Sequence, residues 1–404
     1  MSTVRILRLA AGGDGIGRLE DGRTVFVPRS APGDLVELTR VREHRRFARA
    51  RVARVLEPAP ERVVARCPHY VEDDCGGCQL QHIVSSAQRE ARRTFVGDAL
   101  RRIAKLDVPD PELVPATEDF EYRTKITLHV DDGGRRIGLH PLDRPDYAFE
   151  LARCHITRPE LMSLWEAVGS LRELLPPGVR HIVLRLDRWG RRHVVLVTGP
   201  RTGAAALHEA MKALGVAATL WVQPEGEEAS AVSAPDQPFP ATVFEQVHPA
   251  MGDRVRAHAI AAMGDVAGRH VWDLYAGIGE TTAALADAGA SVESVESDPH
   301  AVAEAEARGP RAARLVGRAE RVVGRLRAPD LVITNPPRTG MDERVTAALD
   351  TAAPSRIVYI SCDPATLARD LGRLQGFRLR SALAFDLFPQ TAHVETVAVL
   401  DRAS

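Results

Sequence analysis

Five cysteines in 404 residues are too few to staple a chain of this size, so a secreted disulfide scaffold is excluded. No run approaches the roughly eighteen apolar residues of a membrane span. The opening MSTVRILRLAAGG lacks the apolar centre of a secretory signal, and the expectation is a cytoplasmic protein with no membrane contact. Neither sign of charge dominates. Lys+Arg number 53 against 54 Asp+Glu, a formal net charge of −1, so no global field draws the chain to a polyanion and any such site is a local patch. Lysine is scarce, three of the 53 cations, a bias that by itself decides nothing. Low-complexity tracts and internal repeats are absent. What is present, 45% hydrophobic and 26% charged residues, is ordinary globular composition, and the length predicts two to three domains.

Three regions are distinguishable, and together they predict a multidomain α/β protein. Residues 1–58 read as short alternating strands with glycine turns, a small five-stranded OB-like barrel. Its basic run contains Arg40, Arg42, Arg45, Arg46, Arg49 and Arg51 with His44 and Phe47 interleaved, a pattern able to track phosphates while an aromatic stacks on a base. The same pattern also suits a solvated edge strand. EPAPERV reads as a linker. Residues 59–240 begin with a cysteine-rich stretch and continue as mixed strands and helices. The proline-rich SAPDQPFPATVFEQVHP then leads into residues 241–404, a repeated strand–loop–helix pattern of the doubly wound, Rossmann-like kind.

HVWDLYAGIGETTAALADAGASVESVESD reads as a buried strand, a loop with Gly277 and Gly279, a helix, and a second strand ending at Glu296. That places a carboxylate 23 residues after Asp273, where it can accept from a ribose diol. Thr282 stands where a dinucleotide fingerprint has its third glycine, so close pyrophosphate approach is not provided for. S-adenosyl-L-methionine, a nucleoside without phosphate, fits. DLVITNPPR sets Asn335, Pro336, Pro337 and Arg338 directly after another apolar strand. Two prolines stiffen that loop, and Arg338 in place of an aromatic argues for a substrate oxygen or phosphate rather than an exocyclic amine.

RIVYISCDPATLARDL delivers Cys362 to the same carboxyl edge, ahead of a helix whose first turn holds Thr366. A helix N-terminus and nearby Arg338 predict a lowered thiol pKa and a nucleophile. In HVETVAVL, read as a last strand, His393 and Glu395 are two apart and share a face, and one of them can serve as base. C5 of a pyrimidine is too weak a nucleophile to accept a methyl unassisted. A thiolate adding at C6 activates it, and a base must then take the C5 proton, for which Glu395 is the candidate.

DLYAGIGETT, NPPRTG, SCDPATLARD and HVETVAVL resemble, in order and spacing, the bacterial RNA (uracil-C5)-methyltransferases that form 5-methyluridine in ribosomal or transfer RNA. The segments AGGDGIGRLEDGRTVFVP, PGDLVELTRV and RRFARARV similarly resemble the TRAM domain, an RNA-binding barrel. The resemblance covers nearly the whole chain. It implies Cys362 as nucleophile and Glu395 as proton acceptor, with Gln246, Tyr275, Glu280 and Glu296 contacting the methyl donor. Where the family usually has aspartate this chain has Asn335, in contact with donor or uracil. Where it usually has asparagine, two residues after the glutamine, this chain has His248. Arg338, Arg45, Arg46 and Phe47 are the candidate RNA contacts.

Cys67, Cys75, Cys78 and Cys154 can close a site around zinc or an iron–sulfur cluster, and their chemistry alone does not choose. In the ribosomal branch of the resembled family such cysteines hold a 4Fe-4S cluster, which the resemblance therefore implies here, with a structural role. It also favours structured ribosomal RNA over transfer RNA as substrate. The oligomeric expectation is the default of a monomer. Two rivals are C5-cytosine methylation and an RNA-binding assembly factor with a vestigial site.

Overall fold

The computed structural model describes residues 2–131, 136–199, 203–233, 245–309 and 312–403. The first of its three sheets has six strands, in the order Thr3–Arg5, Leu35–Glu43, Phe47–Glu57, Thr24–Val27, Gly15–Arg18, Arg8–Leu9. Alternation turns Val4, Val25, Val27, Val36, Leu38 and Ala48 inward as a small core. The expected five strands are six because VRILRLA is broken. Ile6 N–H donates to the Asp34 carbonyl and Leu7 N–H to that of Ile16, so the chain changes partner between Arg5 and Arg8. EPAPERV, read as a linker, is a fixed seam: buried Asp34 accepts from Ala59 N–H at 2.9 Å and from the Arg62 guanidinium at 2.5 Å.

The second sheet has seven strands, Phe149–Glu150, Ile137–Leu139, Lys125–Val130, Val179–Leu186, Arg192–Thr198, Thr219–Pro224 and Ser230–Ala231. Helix Pro159–Ser170 covers it, burying Leu161, Leu164, Trp165 and Val168 at helical spacing. Its one parallel pair, Arg192–Thr198 with Thr219–Pro224, is connected across helix Ala205–Ala213.

The third sheet has eight strands, in the order Ala313–Val316, Ser291–Glu296, His270–Leu274, Leu331–Thr334, Arg356–Ser361, Glu395–Arg402, Phe377–Phe385, Glu112–Val114. The first five run parallel, and strands such as Leu331–Thr334 are buried along their whole length, as the inner strands of a parallel sheet are. The last strand, Glu395–Arg402, inserts antiparallel between Arg356–Ser361 and Phe377–Phe385. Its described start is Glu395, so His393 precedes the strand instead of sharing a face within it. Helix Ser85–Arg102 sends Val96, Ala99 and Leu100 into the core that holds Trp272, Tyr359 and Leu367. With strand Glu112–Val114, this gives residues before the seven-stranded sheet a place against the C-terminal one. The proline-rich stretch lies mostly outside the described residues. No helix among those described is long and apolar enough to cross a membrane.

Candidate active site

The sheet register brings the two candidate catalytic side chains together. Arg356–Ser361 pairs with the last strand so that Ser361 stands opposite Thr396, which leaves Cys362 just past the end of one strand and Glu395 at the start of the other, close enough for the Glu395 carboxyl to act on the thiol. Both residues line one cavity of about 1690 Å³, together with Gln246, His248, Tyr275, Glu280, Glu296, Asn335, Arg338 and Phe388. Behind Cys362, Asp363 caps helix Pro364–Arg373 by accepting from Thr366 N–H at 2.8 Å, and Pro364 occupies its first position.

The thiol is not activated at rest. Burial, followed by the Glu395 carboxyl, raises the Cys362 pKa above its usual value, and Arg338 only partly offsets this. The expected lowering is thus reversed, because desolvation outweighs the helix end and a single guanidinium. Glu395 itself is buried, with Oε2 lacking a hydrogen-bond partner, and burial pushes its pKa up to about 8 against the pull of Arg338. Burial likewise pushes His393 down to about 4, so its ring is neutral and the carboxyl is the group poised near neutrality. His248 stacks on Tyr122 at 4.8 Å and 23°, buried and held down to about 4.

At the other end of the cavity the chain turns sharply after His270–Leu274. Tyr275 adopts φ +61°, unusual outside glycine. Gly279 has φ +72° and precedes helix Glu280–Asp287; a Cβ there would meet Ala305 Cβ at 2.8 Å. Glu296 is fixed by backbone, accepting from Gly277 N–H at 2.9 Å, Ser297 N–H at 2.6 Å and Asp298 N–H at 2.9 Å. Beneath the loop, burial lifts Asp273 to about 7, and Thr282 Oγ1 donates to it at 2.5 Å. Glu280 is ion-paired with Arg256 at 2.5 Å and Arg188 at 3.3 Å, and Arg188 also binds Glu245 at 2.9 Å. The hairpin carrying Arg188 thereby braces the glycine-loop end of the cavity, a link with no signature in the sequence.

Asn335 and Arg338 are exposed to the cavity while Pro336 is buried. The loop is clamped by a residue not singled out from sequence. Asp370, fully buried in the helix behind Cys362, accepts from Met341 N–H at 2.7 Å and Tyr359 OH at 2.8 Å. Arg369 reaches both Asp370 Oδ1, at 2.7 Å, and the Thr339 carbonyl, at 2.8 Å. Arg45 and Arg46 lie exposed in the turn of the N-terminal sheet, away from the cavity, where Phe47 stacks on His44 at 4.4 Å. Arg51, from the same basic run, is turned inward against Asp74 and Asp143, both at 2.6 Å.

Cys67, Cys75, Cys78 and Cys154 are all free thiols and line a second cavity, of about 500 Å³. Burial is the main cause that raises Cys67, Cys75 (to about 11) and Cys78. Among the described residues, no group of three or more His, Cys, Asp or Glu closes on a point that would hold a metal ion. The shared lining of that cavity is what the four thiols have in common.

Residues 2–53 match the TRAM domain, and residues 317–403 match the family described as tRNA (Uracil-5-)-methyltransferase. The 23S rRNA (uracil(1939)-C(5))-methyltransferase RlmD of Thiobacillus denitrificans is 30% identical, with 99% of each chain covered. An uncharacterized RNA methyltransferase of Corynebacterium glutamicum is 32% identical over 100% of this chain and 97% of its own. The Pyrococcus abyssi tRNA (uracil-54, C5)-methyltransferase, solved with S-adenosyl-L-homocysteine, shares the fold at TM-score 0.75 and 23% identity, covering 98% and 99% of the two chains. By these likenesses over its whole length, this chain belongs to the S-adenosylmethionine-dependent RNA (uracil-C5)-methyltransferases.

Proposed function

We propose that the protein methylates C5 of a uridine in 23S ribosomal RNA through a covalent Cys362 adduct, with Glu395 taking the proton. The supporting observation is that Cys362 and Glu395, each one residue beyond the Ser361–Thr396 pair, line one cavity with the carboxyl acting on the thiol. The Cys362 thiolate forms a bond to C6 of the ring, moving an electron pair toward C5 and O4. A bound S-adenosylmethionine would give up its methyl group to C5, its carbon–sulfur bond breaking with the electron pair kept by sulfur, which leaves as the neutral thioether S-adenosylhomocysteine. Glu395 then removes the C5 proton, the C–H pair rebuilds the C5–C6 double bond, and the sulfur leaves C6 as thiolate. Arg338 beside the thiol stabilises that thiolate and the charge on the ring oxygen. Gln246, Tyr275, Glu296 and Asn335 hold the donor, Glu280 anchors its rim through Arg188 and Arg256, and Arg45, Arg46 and Phe47 contact RNA outside the cavity.

Ribosomal RNA is favoured over transfer RNA by the full-length relative named for 23S rRNA and by the four-thiol cavity. Cys67, Cys75, Cys78 and Cys154 would hold a 4Fe-4S cluster, whose role is to tie the cysteine-rich loop in place, since methyl transfer includes no redox step. Iron and sulfide in equal amounts with absorption near 400 nm support this; a colourless, zinc-loaded protein purified without oxygen contradicts it. Transfer of labelled methyl from the donor to a 23S transcript, but not to transfer RNA, tests the substrate. Cys362→Ala abolishes that transfer while leaving donor binding intact. Methylation of transfer RNA alone overturns the substrate, and turnover by Cys362→Ala overturns the adduct.

A further inference from the structure

The molecule has four tryptophans. Trp165, Trp221 and Trp272 are buried and donate from Nε1 to the Leu151 carbonyl, His193 Nδ1 and the Arg327 carbonyl. Trp189 is 61% exposed, at the tip of the hairpin between Val179–Leu186 and Arg192–Thr198. Leaving so large an apolar surface in water forgoes burial that the fold uses at the other three sites. Nor is the tip loose. Asp187 Oδ1 accepts from Trp189 N–H and Arg191 N–H, both at 2.9 Å, Gly190 N–H donates to the Asp187 carbonyl at 2.9 Å, and Gly190 takes φ +77°. The ring is held out on a stiff support, which lowers the entropy lost on binding.

Its position gives the support a purpose. Leu186, Asp187, Arg188, Gly190 and Arg192 form part of the wall of the cavity that contains Cys362 and Glu395, whereas Trp189, between them in sequence, does not line it. The Arg191 guanidinium lies 4.7 Å and that of Arg188 5.6 Å from the ring centroid. Arg188 is committed to Glu245 and Glu280, which fixes the hairpin against the glycine-loop end of the cavity; Arg191 is held by Asp187 at 2.6 Å and still keeps 54% of its side chain exposed. An aromatic among arginines matches single-stranded nucleic acid, whose bases stack while the cations meet phosphates. A uridine can reach Cys362 only after leaving its own stack, and its neighbour then loses a stacking partner.

We propose that Trp189 is that replacement partner, stacking on the nucleobase beside the target uridine at the mouth of the cavity. The inference rests on the functional reading above. With the other three tryptophans buried, acrylamide quenching reports on Trp189. A 23S rRNA transcript protects it in the wild type, and Trp189→Phe removes the quenchable signal. Trp189→Ala raises KM for the transcript about tenfold, the scale of one lost base–aromatic stack. Donor affinity and kcat at saturating RNA stay unchanged, and Trp189→Phe restores KM. An unchanged KM in Trp189→Ala, or a Trp189 still open to quencher while the RNA adduct on Cys362 forms, overturns this inference alone. Protection by ribosomal protein and not by naked RNA also overturns it. Wild-type protein inactive on both ribosomal and transfer RNA overturns the functional reading and this inference with it.

Discussion

Glu395 carries its proton at neutral pH in the free protein, because burial outweighs Arg338 and lifts it to about 8. A proton acceptor must first be ionised, and the Cys362 thiol beside it is also raised. The single-turnover rate is therefore predicted to rise as pH increases from 7 to 9, measured by quenched methyl transfer at saturating donor. A profile flat across that range contradicts the role of Glu395. Glu395→Gln is predicted to slow product release by about 10²–10⁴-fold, the contribution of one positioned base, while the RNA adduct on Cys362 accumulates. The same burial has a stability consequence. An acid raised from 4.5 to about 8 in the folded chain holds a proton there that the unfolded chain has lost, so between those values stability falls as pH rises. Glu395→Gln should accordingly unfold at higher denaturant than the wild type at pH 9 and show little difference at pH 4. The residue types were legible in the sequence, since a cysteine before Asp-Pro at a helix start and a late His-Val-Glu are local signals. Their proton affinities were not, because burial and the Cys362–Glu395 contact are properties of the assembled sheet.

At the scale of elements, the strand–turn–helix units around the cavity follow from chain-local chemistry: apolar strands, Gly279 at positive φ, Asp363 as cap and Pro364 at the first helical position. Gly279→Ala adds a Cβ that meets Ala305 at 2.8 Å at a φ suited to glycine. It should cost about 1–3 kcal/mol in urea denaturation and weaken donor binding, measured by calorimetry. Asp370 was illegible in advance because the Met341 amide and Tyr359 meet it, and its neighbour Arg369 meets the Thr339 carbonyl, only when helix Pro364–Arg373 docks under the Asn-Pro-Pro-Arg loop. Asp370→Ala leaves these donors unsatisfied and should destabilise by about 3 kcal/mol, with a larger loss of kcat than of donor affinity because the loop beside the substrate is released.

Across the whole molecule, the cysteine-rich region and the catalytic strand are one mechanical unit. Gln390, at φ +70° and buried, has its carbonyl bound by Gln79 N–H at 3.1 Å and Leu80 N–H at 3.0 Å, and its side chain by Gln88 at 3.0 Å. Buried Arg92 holds the Thr391 carbonyl at 2.8 Å and Asp386 at 3.2 Å. Residues 78–92 thus clasp the segment that carries Phe388 and leads into Glu395, which pairings some 300 residues apart in sequence could not announce. Arg92→Leu strands Asp386 in the interior and should cost about 3–5 kcal/mol by denaturation. Joint action of one sulfur and one carboxylate on a single uracil ring can be trapped with 5-fluorouridine-substituted 23S rRNA and donor. Fluorine cannot leave as a proton, so mass spectrometry is predicted to find methylated RNA bound covalently through Cys362. Bound donor and RNA without any adduct, or an adduct on another residue, would contradict it.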